Sequence, residues 1–159
     1  WQFPEKLIPN VILKAINNLH IPIYGDGSNI RDWLYVDDHI SALILVAMEG
    51  QIGETYCIGG GEEKSNLEVA YAICKCLNKL LPRKQEYEKL ISFVEDRPGH
   101  DQRYSIDSTN INNLLGWKPR YTFSLGIIKT IKWYIDNLDW CESLMNNSKY
   151  YGQRIGIEK

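Results

Sequence analysis

PIYGDGSNIRDWLYVDDH, residues 22–39, is the stretch on which the reading of the fold turns. The run IPIYG is short and β-type, and the turn sequence GDGSN closes it. RDWLYV follows, with the aromatic and branched residues of a buried strand. Asp37 or Asp38 is then placed to accept hydrogen bonds from the free amides that open a helix, which runs through ISALILVAMEG and stops near Gly50.

Toward the amino terminus, Leu7, Ile8, Val11, Ile12, Ala15 and Ile16 share one helical face, which predicts an amphipathic helix from about Glu5 to Asn17 with Pro4 in its first turn. Toward the carboxyl terminus, GETYCIGG (53–60) reads as another short strand ending in Gly59 to Gly61. Ser65 and Glu68 form a capping-box pattern for a helix to about Leu81, which Pro82 ends. A strand is expected at ISFV, then the polar loop EDRPGHDQ, a brief extended YSI and a short helix from Asp107 that stops at Gly116. The last strong helix starts near Ser124 and places Leu125, Ile128, Ile131, Ile135 and Leu138 on one side. From Trp140 to Lys159 the pattern fades, and residues 141–159 are expected to form a loosely ordered tail. Alternating strands and helices argue for an α/β fold with parallel neighbours where a helix separates two strands.

With 159 residues, 44% hydrophobic and 24% charged, the composition is that of one soluble globular domain. A net charge of -2 with mixed signs gives no electrostatic reason to expect nucleic acid or an anionic membrane as partner. No apolar run approaches the roughly 20 residues of a spanning helix, and the expected location is the cytoplasm. Cys57, Cys74, Cys76 and Cys141 lack CxxC spacing, and His20, His39 and His100 do not cluster beside them, so reduced thiols and no metal site are expected. The start at Trp1, within WQFPEKLIP, reads as that of a fragment.

The residues that could carry chemistry lie in loops and at helix starts. Arg31 follows the Gly-rich turn, Asn66 stands near a helix start, and Arg97 and His100 share the DRPGH loop. Guanidinium forks and helix amides are what a diphosphate needs, and Tyr24, Trp33 and Trp117 could offer a flat face to a base. The competing possibility is that Arg31 pairs with Asp32 or Asp37 on the surface and that the aromatics are core. Tyr71 and Lys75 have the YxxxK spacing of short-chain dehydrogenases, yet the strand and active-site loop that should precede such a pair are absent. Tyr71 is therefore expected at a helix edge and Lys75 in solvent. Glu95 and Asp96 resemble an acid/base dyad only in composition.

Together, FPEKLIP (3–9), residues 22–39, GETYCIGG, DRPGHDQRYSID (96–107), LGWKP (115–119) and GIIKTIKWY (126–134) resemble the dTDP-glucose 4,6-dehydratases. RDWLYVDD with its preceding turn is shared by many extended short-chain dehydrogenases that act on nucleotide sugars. FPEKLIP with DRPGHD narrows the resemblance to the dehydratases.

The resemblance implies the carboxyl-terminal, substrate-binding part of an extended short-chain dehydrogenase (Rossmann-type) fold over residues 1–140. Within it, residues 36–60 would supply one helix and one edge strand to an NAD-binding domain that the sequence does not contain, leaving an apolar side exposed. It further implies that Lys6 and Leu7 contact the substrate, that Pro22, Ile23 and Tyr24 line the thymine and deoxyribose pocket, and that Arg31 grips the diphosphate. Asn66 would bond the nucleotide, and Asp96, Arg97, Pro98, Gly99 and His100 would close over the phosphate and sugar side. The implied reaction turns dTDP-glucose into dTDP-4-keto-6-deoxyglucose and water with transiently reduced NAD, in a homodimeric parent. The family's glycine-rich NAD turn, Asp-Glu pair and Tyr-Lys couple have no counterpart in this sequence, so no catalytic, cofactor-binding or metal residue is expected in it. The alternatives are another nucleotide-sugar epimerase or decarboxylase of the superfamily, or a module that binds a nucleotide sugar without transforming it.

Overall fold

The computed structural model describes residues 2–148. Its elements, in chain order, are α1 (Leu7–Ile16), β1 (Ile21–Tyr24), β2 (Ile30–Asp32), α2 (Val36–Glu49), β3 (Glu63–Ser65), α3 (Asn66–Leu80), a 3-10 turn (Tyr87–Leu90), β4 (Ile91–Val94), α4 (Thr109–Leu115), α5 (Phe123–Asp136) and α6 (Leu138–Ser148). β1 and β4 pair in parallel from Ile21↔Ile91 to Tyr24↔Val94. β2 and β3 pair antiparallel from Ile30↔Ser65 to Asp32↔Glu63. The fold is α/β, with β2, α2, β3 and α3 all lying in the crossover between the two parallel strands.

The main core forms where α1, α3 and α5 pack over β1. Ile12, Ile21, Ile73, Leu77 and Ile131 are wholly buried there, because each element turns one apolar face inward. A smaller cluster joins Ala42 of α2 to Ile111 of α4 and to Trp117. The capping box at α3 is present as expected, with Ser65 and Glu68 bonding each other's backbone amides.

Several elements depart from the sequence expectation, each for a local reason. RDWLYV is a strand only through Asp32. Beyond it the Trp33 amide donates to Glu62 O, the Trp33 indole donates to Lys64 O, and the chain turns into α2. The Asp32 carboxylate accepts the amides of Gly60 and Glu62 at 2.9 and 3.1 Å, tying the glycine run to this segment. A Cβ on Gly60 would lie 2.1 Å from Trp33 O, so only glycine fits there. GETYCIGG forms no ladder among the described residues, since an extended segment is a strand only where a neighbour exchanges hydrogen bonds with it. YSI contributes no strand either, and only Arg103, just before it, bridges to Ile30.

The next helix begins at Val36, the last residue of RDWLYV, with Tyr35 as a cap residue that makes no side-chain bond. Asp38 does not cap it. Its buried carboxylate instead accepts the Tyr121 amide at 3.0 Å and holds the approach to α5. Asp37 and Asp38 still favour the positive end of α2 from its first turn. On α5 the buried face is Phe123, Ile127, Ile131 and Tyr134, while Leu125 and Ile128 face outward. The apolar residues of this helix run nearly all round it, so spacing alone could not choose the inward side. The expected loose tail is helical through Ser148, and Cys141 is wholly buried against the main core. The remainder of the expected tail, residues 149–159, lies outside the described residues.

α2 has a second apolar stripe that the small cluster does not cover. Val36, Ile40, Leu43, Ile44 and Met48 recur at helical spacing and are 47% to 77% exposed.

The choice of α5 face is directly measurable. Ile127→Ala should cost about 2–5 kcal/mol in urea unfolding, whereas Leu125→Ala should stay within about 0.5 kcal/mol. Equal losses would mean that α5 is rotated from the orientation described.

Candidate functional site

β2 carries the centre of the candidate site. On one side it pairs with β3, and on the other it receives the end of the loop that follows β4. There the Ile30 amide donates to Gln102 O at 2.8 Å and the Tyr104 amide to Ile30 O at 3.0 Å. Arg31 points toward this loop. Its guanidinium donates to Asp101 O at 2.9 Å and to Ile30 O at 2.6 Å, and lies 4.6 Å from the centre of the Tyr104 ring. Arg31 forms no ion pair with Asp32 or Asp37 among the described residues, because the Asp32 carboxylate is engaged by backbone amides.

Tyr104, absent from the sequence candidates, donates its hydroxyl to the Asp101 carboxylate. That bond raises the phenol's pKa, while the charges of Arg31 and Arg97 both act on it in the opposite sense. The signal that could have found Tyr104 is the pairing of residues 102–104 with β2, which the sequence alone does not disclose.

The front of the loop is organised by Asp96. Its carboxylate accepts the Arg97 amide at 2.8 Å and lies 2.7 Å from His100 Nδ1, and the bond to His100 holds its pKa below the ordinary value. The His100 side chain is only 7% exposed, and the Tyr24 ring meets it edge-on at 6.3 Å. Gly25 donates to Val94 O at 2.9 Å, which fixes the loop's exit from β4 against the Gly-rich turn.

The structure thus gathers Tyr24, Arg31 and the loop of Asp96, Arg97, Pro98, Gly99 and His100, the last all exposed except the half-buried His100. Asn66 is held beside this group by the turn. Its amide donates to Asn29 O at 3.0 Å, and Leu67 donates to Gly27 O at 3.1 Å. A Cβ on Gly27, whose φ is +75°, would lie 2.7 Å from Ile23 Cγ2, so this close approach requires glycine. Lys6 and Leu7 belong to another element, the start of α1, where Lys6 pairs with Glu5 at 2.7 Å.

Some sequence candidates cannot act as expected. The first amides of α3 are consumed by Asn29 O, Gly27 O and Ser65 Oγ, so they do not face an anion. The side chain of Ile23 is in the core at 1% exposure, leaving only its backbone for a ligand, because successive strand residues point to opposite faces. Trp33 and Trp117 are not open platforms. Trp33 packs edge-on against Phe123 with its indole bonded to Lys64 O, and Trp117 is buried with its indole donating to Ser41 Oγ at 3.0 Å. Tyr71 and Lys75 are both exposed on α3, as expected from the absence of the strand and loop that would precede a catalytic pair. Glu95 and Asp96 are both exposed, and the carboxylate of Asp96 is occupied within the loop.

A cavity of about 870 Å³ lies elsewhere, between the RDWLYV segment and α5. Trp33, Tyr35, Tyr121, Phe123, Trp133 and Tyr134 give it an aromatic lining that includes neither Arg31 nor the DRPGH loop. Among the described residues no group of His, Cys, Asp and Glu could hold a metal ion, and no helix is long and apolar enough to cross a membrane.

The chain is similar in sequence and fold to several known proteins. The family described as GDP-mannose 4,6 dehydratase matches residues 1–130. The dTDP-glucose 4,6-dehydratase of Neisseria meningitidis serogroup B is 50% identical, over 100% of this chain and 46% of its own length. The crystal structure of dTDP-glucose 4,6-dehydratase from Bacillus anthracis in complex with NAD superposes with a TM-score of 0.81 at 43% identity, covering 91% of this chain and 43% of that one. The corresponding enzyme of Streptomyces venezuelae, with NAD and TYD bound, gives a TM-score of 0.82 at 38% identity, over 91% of this chain and 42% of that one. The chain therefore spans less than half the length of these relatives.

At the rim of the site, Glu63 accepts from Arg103 and Ser105, which pull its carboxyl from the ordinary 4.5 down to about 2. A carboxyl held lower in the folded than in the unfolded state adds stability above its unfolded pKa and loses that contribution as pH falls through its folded one. The advantage of the native protein over Glu63→Gln, read as a urea midpoint, should therefore be largest above about pH 4.5 and vanish toward pH 2. An advantage that grew on acidification would contradict the assignment.

Proposed function

This chain belongs to the GDP-mannose 4,6 dehydratase family, and from that premise we propose that it is the nucleotide-sugar-binding part of a dTDP-glucose 4,6-dehydratase. The parent reaction is conversion of dTDP-glucose to dTDP-4-keto-6-deoxyglucose with loss of water. The observation that supports this reading is that Arg31 reaches across to the loop after β4, donating to Asp101 O and resting on the Tyr104 ring, while Tyr24 of β1 meets His100 of the same loop. Two arginines beside an open loop suit a diphosphate, since each guanidinium offers paired donors to phosphate oxygens.

In this reading Arg31 and Arg97 hold the diphosphate, and Asn66 bonds the nucleotide through its side chain. Pro22, the Ile23 backbone and the Tyr24 ring line the thymine and deoxyribose pocket. His100, fixed by Asp96, closes the sugar side with Pro98 and Gly99, and Lys6 and Leu7 approach from the start of α1. These residues bind and orient, and proton and hydride transfer are not theirs.

NAD, when bound to the parent enzyme, supplies a transient hydride acceptor. The residues described here do not fit it. A dinucleotide is seated by a strand, a Gly-rich turn and a helix in succession, whereas the Gly-rich turn after β1 leads into β2. We accordingly assign the NAD site to the portion of the parent that corresponds to the rest of the relatives' length. The same portion is our proposed cover for the exposed stripe of α2 and the aromatic cavity, which adjoin through Val36. The parent is proposed to be a cytoplasmic homodimer that engages neither nucleic acid nor membrane.

Calorimetric titration with dTDP tests the site in the protein that carries this sequence. Removing charge-assisted bonds worth about 1.5–3 kcal/mol, Arg31→Ala should weaken dTDP binding by roughly 10- to 100-fold, and Arg31→Lys should not fully restore it. Binding indifferent to Arg31→Ala would overturn the proposed pocket.

A further inference from the structure

Glu63 stands on β3, on the far side of β2 from the loop, yet its carboxylate is engaged entirely by loop residues. Arg103 grips it through two nitrogens, Nε at 2.8 Å and Nη2 at 2.7 Å, and the Ser105 hydroxyl donates to it at 2.6 Å. The contact thus passes over the whole width of β2. It closes a three-strand arrangement in which β3, β2 and residues 102–104 lie side by side.

From these observations we propose that Glu63 and Arg103 are a positioning pair that sets the Arg31 guanidinium for a nucleotide diphosphate. The pair touches no ligand. It acts through the loop segment, because Arg31 donates to Asp101 O and rests on the Tyr104 ring, and both partners ride on the segment that Arg103 fixes. Among the described residues, and apart from Arg31's own contacts, the other hydrogen bonds between this segment and residues 28–30 are two backbone bonds at Ile30 and longer contacts, from Asn29 to Asp101 O at 3.3 Å and from Gln102 to Ser28 Oγ and O at 3.3 and 3.5 Å. An isolated exposed ion pair contributes little, but a two-pronged guanidinium contact with a further hydroxyl on the same carboxylate has fixed geometry, which is what a positioning role requires. The role also follows from where the ends of the loop are held. The front is anchored at Gly25 and by the Asp96–His100 contact, so the Glu63–Arg103 contact fixes the other end.

This inference rests on the nucleotide-diphosphate reading of Arg31, so the test compares ligands that differ only in the diphosphate. In the protein that carries this sequence, dTDP binding is measured by calorimetry and thymidine binding by ligand-observed NMR. Glu63→Gln turns an amide donor toward Arg103. It should reduce dTDP affinity by about tenfold, leave thymidine affinity within about twofold, and keep the melting temperature within a few degrees. Arg103→Lys keeps the charge but not the fork, and should fall between native and Glu63→Gln; it carries the same test should Glu63→Gln fail to fold. Equal loss for both ligands would mean that the pair is merely structural and would overturn the proposal. Unchanged dTDP affinity in Glu63→Gln, beside an Arg31→Ala variant that loses its preference for dTDP over thymidine, would overturn the pair's role while leaving the site reading intact. An Arg31→Ala variant that keeps that preference would overturn both.

Discussion

The structure around the candidate site depends on β2 being flanked on both sides. A strand of three residues has no stability of its own, and this one is held by β3 on one edge and by residues 102–104 on the other. Asp32 strengthens the arrangement by binding the amides of Gly60 and Glu62, so the glycine run is drawn against the strand's end. Because Arg31 lies within β2, whatever holds β2 in register also decides where its guanidinium stands.

The same economy explains why so few polar groups around the site are idle. The opening amides of α3 are satisfied by the Gly-rich turn and the capping box. In the proposed reading, that leaves anion recognition to side chains, and to arginine above all. His100 and Asp96 belong to the same logic. The carboxylate both caps the Arg97 amide and orients an imidazole that the Tyr24 edge covers, so the loop that would close on a ligand is shaped before one arrives.

α2 poses the opposite situation. Its inner face packs on Trp117 and Ile111, but its second stripe, from Val36 to Met48, is open, and the neighbouring aromatic cavity is open too. This apolar surface lies next to a segment that forms no ladder from Gly53 to Gly60, and the proposed reading takes both as the face that the rest of the parent covers. The chain, matched along its whole length, spans 46% of the Neisseria meningitidis relative.

Sequence alone determined the elements whose information is local. The helix of α1 follows from apolar spacing, the start of α3 from Ser65 and Glu68, the end of α4 from Gly116, and β1 and β4 from short branched runs. It also marked Arg31 and the DRPGH loop as candidates, because their residue types and motif context are visible without coordinates. Tertiary structure decided what depends on partners distant in the chain. It chose the inward face of α5, which is apolar nearly all round, and cut RDWLYV short at Asp32, where the backbone leaves its ladder. It placed Ile23 in the core and engaged the α3 amides. Tyr104, Glu63 and Arg103 came into view only then, since a hydrogen-bonded contact between residues 40 or more positions apart leaves no periodic trace in the sequence.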